Sequence, residues 1–382
     1  MTTRRSFLRG LLQSSLVLPL ATAAGACSPS SGGLRVRLLS QSVPVQVVGA
    51  FQRSLKPSFP IDFSSEARIE TLFADLQKWQ NSNLAKRSSG LWGQQPTIPD
   101  LVSLGDGWLG DAIRQDLIQP WKPETLDGLD GWNHLDDRYK SLVRRNHQGL
   151  LDDRGEIWAL PYRWGTTAIA YRQDFFEKLG WAITDWSDLW RPELAGHIGL
   201  VDDPREVIGF TLKSLGQSYN APQPQTISNL SDRLRALHSQ VKFYSSTHLV
   251  QPLLLKDVAV VVGWSADLLP LSALDRQVKV VLPRSGTALW ADLWVRPRKA
   301  PSENLSRTQA WVDFCWRSDM APQFARFGQG TSPYLTEPLP TLDTASVLYP
   351  DAELLARSEF LSPFPETVRR EYGQLWNRMR AY

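Results

Sequence analysis

Apolar positions along the chain fall into two recurring patterns. Short unbroken runs, DLVSL at 100–104, DVAVVVGW at 257–264 and QVKVVLP at 277–283, read as strands. The second is long enough to require cover on both faces. LRVRLL from Leu34 reads as the first strand, with TAIAYR at 167–172 and HIGLVD at 197–202 as further short ones. Between them lie stretches of helical spacing: Ala67 to Trp79, where Ile69, Leu72, Phe73 and Leu76 share a face, then Trp108 to Gln115 and Val207 to Leu215. Alternating strand and helix predict an α/β fold on a parallel sheet. In open sheets of this kind ligands sit beyond the carboxyl ends of the strands, which directs attention to Trp264 and to the residues after Val201.

The 382 residues exceed one ordinary domain and suit two. No interior run is apolar enough to span a bilayer. The 16 tryptophans stand out, and composition alone leaves open whether they fill cores or line a binding surface.

The first 26 residues read as an export signal. Arg4 and Arg5 stand in T-R-R-S-F-L-R, a modestly apolar run follows from Leu11 to Ala24, and Ala24-Gly25-Ala26-Cys27 closes it. This is similar to a twin-arginine signal ending in a lipobox, with Cys27 as the lipidation site, residues 27–33 as a tether, and a periplasmic or cell-envelope destination. Removing residues 1–26 takes away three Arg and no acid, so Lys+Arg falls from 42 to 39 and meets the 39 Asp+Glu. The basicity belongs to the signal, and the electrostatic footprint of a nucleic-acid binder is missing. With Cys27 acylated, Cys315 stands alone in an apolar run and reads as a buried thiol.

Candidate chemistry lies in two short motifs. Asp203-Pro204-Arg205-Glu206 fits a helix start, with an N-cap carboxylate, Pro at the first position and Glu at the third. The same residues would project two carboxylates from a strand end, and both roles hold if one Asp203 oxygen caps while the other faces a ligand. Trp290-Ala291-Asp292 sets an indole and a carboxylate on one strand face, where a cation would gain a cation–π contact and a charge-assisted hydrogen bond; a core Trp beside a capping Asp is the plainer reading. Trp264 and Trp164 taken singly are as consistent with packing as with recognition. Ser265 in G-W-S-A-D lacks the second glycine of a nucleophile elbow, the five His show no metal spacing, and no glycine-rich phosphate loop follows the first strand. These motifs call for no cofactor and no metal.

The runs DLVSLGDGWL, LPYRWGTTAIAYR, WSDLWRPELAG, DDPREV, VVVGWSADL, VVLPRSGTALWADL and LYPDAELL follow one another in an order that resembles the spermidine/putrescine-binding proteins of bacterial ABC importers. The resemblance implies a two-lobe periplasmic binding protein of type II, with crossing segments near Gly165, Trp290 and Leu339 and an interlobe cleft. Lobe one would be residues 34–165 plus 291–338 and lobe two 166–290 plus 339–382. It implies a polyamine-like ligand, an inner-membrane ABC permease as partner and no catalysis. Asp203 and Glu206 would bind ammonium groups, Asp292 an amine from the other lobe, and Trp264 and Trp290 would pack on aliphatic or cationic parts. The family's aromatic and acidic cluster after the first strand is here Leu39-Ser40-Gln41-Ser42, and its Ser and Tyr after DLVSL are Gly105 and Gly107. A family Tyr maps near Gln329 or Gly330, and a late Gln maps to Leu361. These departures point to a shorter or differently shaped cation, with Asp106, Trp108, Trp164 and Ser40 completing the site. An exported enzyme using the same cleft, or a non-transporting sensor or scaffold subunit, stands as the alternative.

Overall fold

In the computed structural model, which describes residues 33–56, 58–81, 97–339 and 344–381, one strand of 13 residues, Leu160–Arg172, is buried at every position. The signal at 1–26, Cys27 and the tether as far as residue 32 lie outside the described residues. In chain order the strands are β1 (Leu34–Leu39), β2 (Ile61–Glu66), β3 (Leu101–Gly105), β4 (Ile118–Gln119), β5 (Arg144–Arg145), β6 (Glu156–Ile157), β7 (Leu160–Arg172), β8 (Ile198–Leu200), β9 (Val241–Tyr244), β10 (Val260–Trp264), β11 (Val278–Val281), β12 (Ala288–Pro297) and β13 (Glu359–Phe360). The main sheet runs β2-β1-β3-β12-β7-β10-β8-β9, with β11 on β7 and with β4 and β13 on β12.

The sheet is mixed, which corrects the expectation of a parallel one. β1 pairs parallel with β2 and β3, and β8 with β9 and β10, as strand–helix alternation demands. β7 and β12 instead run antiparallel to each other, and β12 is antiparallel to β3 and β7 to β10. The expected strand at 167–172 is the second half of β7, whose first half carries Pro161 and Gly165. At about 3.3 Å per residue β7 spans about 40 Å, enough to serve more than one core.

Two large buried clusters divide along it. One holds Leu34, Val36, Leu101, Leu104, Tyr162, Trp164, Leu293, Trp294 and Trp311. The other holds Ile169, Tyr171, Ile198, Phe210, Val260, Ala288, Tyr372 and Trp376. Ala168 and Ala170, on the alternate face of β7, join Val261, Leu268 and Val278 in a third. The change of core falls between Trp164 and Ala168 in β7 and between Ala288 and Leu289 in β12. Thr166 and Leu289 are register partners, so both strands change core at the same level.

Among the described residues ten tryptophans are buried, so the high count goes mainly into cores. Among the described residues Trp108, Trp181, Trp190, Trp264 and Trp290 are only partly buried. Arg191 covers Trp181 at 3.9 Å and Arg233 covers Trp190 at 4.0 Å. Cys315 is fully buried, and burial raises its thiol well above the usual range. No helix among the described residues is long and apolar enough to cross a membrane.

Candidate ligand-binding site

Five consecutive residues of β7, Arg163 to Thr167, place the candidate side chains. Thr167 is the register partner of Trp264 at the end of β10, and its hydroxyl lies 3.0 Å from each carboxylate oxygen of Glu206. The Thr166 N–H donates to Ser265 Oγ at 3.1 Å, and its carbonyl accepts the Trp290 indole N–H at 3.0 Å. Gly165 sits beneath that indole: a Cβ there would lie 2.3 Å from Trp290 Cζ2 and 2.8 Å from Ser265 Oγ. Only glycine permits this approach. Trp164 is tied through its backbone to Thr331 at 2.8 and 2.7 Å. Arg163 meets Asp292, its register partner, with Nε and one terminal nitrogen each 2.6 Å from Oδ2. Beyond Asp292 the β7–β12 register slips by one residue, an irregularity of the kind that re-aims side chains beside sites.

Asp203 caps the helix Pro204–Ser214 as its local pattern requires: Oδ1 accepts from the N–H of Arg205 at 2.7 Å and of Glu206 at 3.1 Å. Both bonds go to one oxygen. Glu206 does not complete the reciprocal box; it turns to Thr167 and to the Trp264 side chain instead. Burial, reinforced by the charge of Asp203, raises the Glu206 carboxyl to about 8 against the bonds from Thr167 and Trp264 that hold it down. Asp203 is raised by burial too, opposed by the two N–H donors. Arg205 points elsewhere, over Phe364 at 3.7 Å and onto Asn220.

Across β12, Asp106 opens the helix Asp106–Arg114 and accepts the Ala291 N–H at 3.2 Å, between Trp290 and Asp292. Its carboxyl rises to about 6, chiefly by burial and also through Asp292, with the Ala291 bond and Arg145 opposing. Of the residues singled out in the sequence, the structure therefore gathers Asp203, Glu206 and Trp264 around Thr167. It gathers Trp290, Asp292 and Asp106 around β12. Trp164 is buried against Tyr139 at 6.2 Å, and Trp108 packs on Phe73 at 4.8 Å. Ser40 is held by its backbone to Glu66. No hydrogen bond or ring contact among the described residues joins Ser40 or Trp108 to the gathered acids.

Sequence reasoning missed Arg163 and Thr167, and weighed Ser265 only as a nucleophile. For Arg163 a signal exists: it is the one charged residue in the buried run from Leu160 to Tyr171. Thr167 carries no such mark, because hydroxyls are common in strands. Thr166 Oγ1 is buried without a hydrogen-bond partner, a polar atom left over at the centre of the cluster. Among the described residues no group of His, Cys, Asp and Glu is placed to hold a metal.

The two groups of acids and indoles lie where the buried clusters divide along β7 and β12, on a mixed α/β sheet. Residues 97–354 match the family described as bacterial extracellular solute-binding protein, and the chain belongs to that family. It is 30% identical over 227 residues to the spermidine/putrescine-binding periplasmic protein of Escherichia coli, a match that covers 58% of this chain and 64% of the relative, less than two thirds of its length. It is 29% identical over 248 residues to a putrescine/cadaverine-binding protein of Pseudomonas aeruginosa, covering 61% of this chain and 70% of that one. The crystal structure of the spermidine/putrescine ABC transporter substrate-binding protein of Streptococcus pneumoniae superposes with a TM-score of 0.75 at 21% identity, over 92% of this chain and 99% of that one. A periplasmic thiamin-binding protein superposes at 0.58 with 13% identity, over 91% and 96%. These two likenesses concern the fold.

Proposed function

We propose that the chain is an exported binding protein that captures a polyamine or related small organic cation between two lobes, residues 34–165 plus 291–338 and 166–290 plus 339–382, and delivers it to an ABC permease without chemistry. Division of the buried residues into separate clusters along β7 and β12 supports the two lobes. The observation that carries the ligand class is Glu206: a buried carboxylate raised to about 8, framed by Trp264 and Thr167 and repelled by Asp203. A cation beside this buried acid would restore its charge, and the Trp264 indole stands next to it. Relatives named for spermidine, putrescine and cadaverine support the same class. Ligand contacts to both lobes would drive closure by hinge motion.

A thermal-shift screen with putrescine, spermidine, other amines and amino acids tests the reading. A ligand at about 100 times its Kd adds about 2.7 kcal/mol of stability. If no amine shifts melting while a neutral or anionic solute does, the cation reading fails; turnover of a bound compound would favour an enzyme.

Export rests on the Arg4-Arg5 pair, and membrane attachment on Cys27. Replacing both arginines with lysine should leave precursor in the cytoplasm, and Cys27→Ser should release the protein into the soluble envelope fraction. Unaltered fractionation of either variant removes the corresponding part of the proposal.

A further inference from the structure

Arg163 is a cation that the chain itself supplies to the site. Both Arg163 and Asp292 are 5% exposed, and the guanidinium meets Oδ2 through two nitrogens at 2.6 Å each. The guanidinium carbon lies 5.3 Å from the centre of the Trp290 ring. Carboxylate plus indole face is the arrangement that an organic ammonium requires, and here it is filled. The group is also held in place. Its remaining terminal nitrogen donates to the carbonyl of Gly328, and its methylenes lie against Gly330, where a Cβ would come 2.9 Å from Cγ and 3.0 Å from Cδ. A residue with any side chain at 330 would crowd the arginine, so the bare backbone at Gly330 makes its room. The charge of Arg163 also reaches Asp267, in the first turn of the helix Ser265–Leu274.

We propose that Arg163 is a specificity-determining residue: as a tethered internal cation it occupies the subsite between Asp292 and Trp290, so the site holds its ligand through one ammonium group, bound at Asp203 and Glu206, and a diamine gains nothing from its second. This rests on the cationic-ligand reading above. With Asp292 neutralised by Arg163, a second ammonium finds Asp106, whose carboxylate already accepts the Ala291 N–H beside a like charge. The second charge of a diamine then finds Asp292 already paired and gains nothing over its contacts with water, so it adds nothing to affinity.

Calorimetric titration of the full chain with butylamine and with putrescine tests this, because the two differ by one terminal ammonium. The wild type should bind both within about threefold of each other. In Arg163→Met the Asp292 carboxylate is released, and putrescine should be favoured over butylamine by about tenfold or more. Arg163→Lys, which restores one cation, should return the ratio toward the wild-type value. A wild-type preference for putrescine of about tenfold or more overturns the proposal while leaving the cationic-ligand reading standing, and this measurement decides even if Arg163→Met does not fold. An Arg163→Met protein that folds and keeps the wild-type ratio overturns it equally. Binding of neither amine by the wild type overturns the cationic-ligand reading and this inference with it.

Discussion

The Thr167 hydroxyl stands 3.0 Å from both carboxylate oxygens of Glu206, making the crossing strand and the helix Pro204–Ser214 share one proton-bearing contact. That contact sits on a carboxyl raised from 4.5 to about 8, chiefly by burial. A raised acid contributes its stability below the unfolded value and loses it as pH climbs through the folded one. The unliganded protein should therefore lose stability between pH 4.5 and 8 from this group.

An ammonium ligand reverses the preference by favouring the carboxylate, so binding at pH 7 should release a proton. Affinity should rise by up to about tenfold per pH unit below 8 and level off above it. Titration in buffers of different ionisation heat reads the released proton directly. Glu206→Gln, which cannot ionise, should gain on the wild type by a few kcal/mol between pH 5 and 8 in unliganded stability while losing amine affinity. A pH-independent affinity between pH 6 and 8 would remove Glu206 from the cation's site.

Gly165→Ala drives a methyl group into the Trp290 ring from a position 2.3 Å away. Overpacking of this kind costs about 1–3 kcal/mol. The indole must also leave Thr166, so ligand affinity should fall together with the denaturation midpoint. Equal stability of the variant and the wild type in urea would show that the strand relaxes around the added carbon.

Asp292→Asn should appear first as a loss of stability, because the guanidinium of Arg163 is left buried beside a neutral group. Breaking one side of a buried pair costs about 3–5 kcal/mol, and the Arg163→Met/Asp292→Leu double variant should recover most of it. Chemical denaturation of the wild type, Asp292→Asn and the double variant measures the loss and its recovery. A single variant within about 0.5 kcal/mol of the wild type would mean that the pair is replaced by water at no cost.

How much of this was visible in the sequence depends on how local each cause is. The Asp203 cap was legible because N-capping involves residues two and three positions apart. β10 was legible because Val260, Val261 and Val262 leave no polar face. β2, with the sequence IDFSSE, was not: it is an edge strand, half-exposed along its length, and its pairing with β1 is supported by Arg37 bonding to Ser64 and Glu66. The first half of β7 was hidden by Pro161 and Gly165, which punctuate a chain locally and are overridden here by the pairing with β12. Asp203, Glu206 and Trp264 were singled out together and lie around Thr167, whereas Trp108 and Ser40 pack elsewhere. The partner of Asp292 was out of reach, because Arg163 lies 129 residues earlier and only the register of two crossing strands joins them.

β7 carries a further consequence for how the molecule comes apart. Leu160, Tyr162 and Trp164 sit in one large core and Ile169 and Tyr171 in the other, with no break in the strand between them. Neither core can melt past its own end of that strand without stripping pairing partners from its neighbour. The two halves should therefore unfold together, as a single calorimetric transition whose enthalpy matches the van't Hoff value, even though each has an interior of its own.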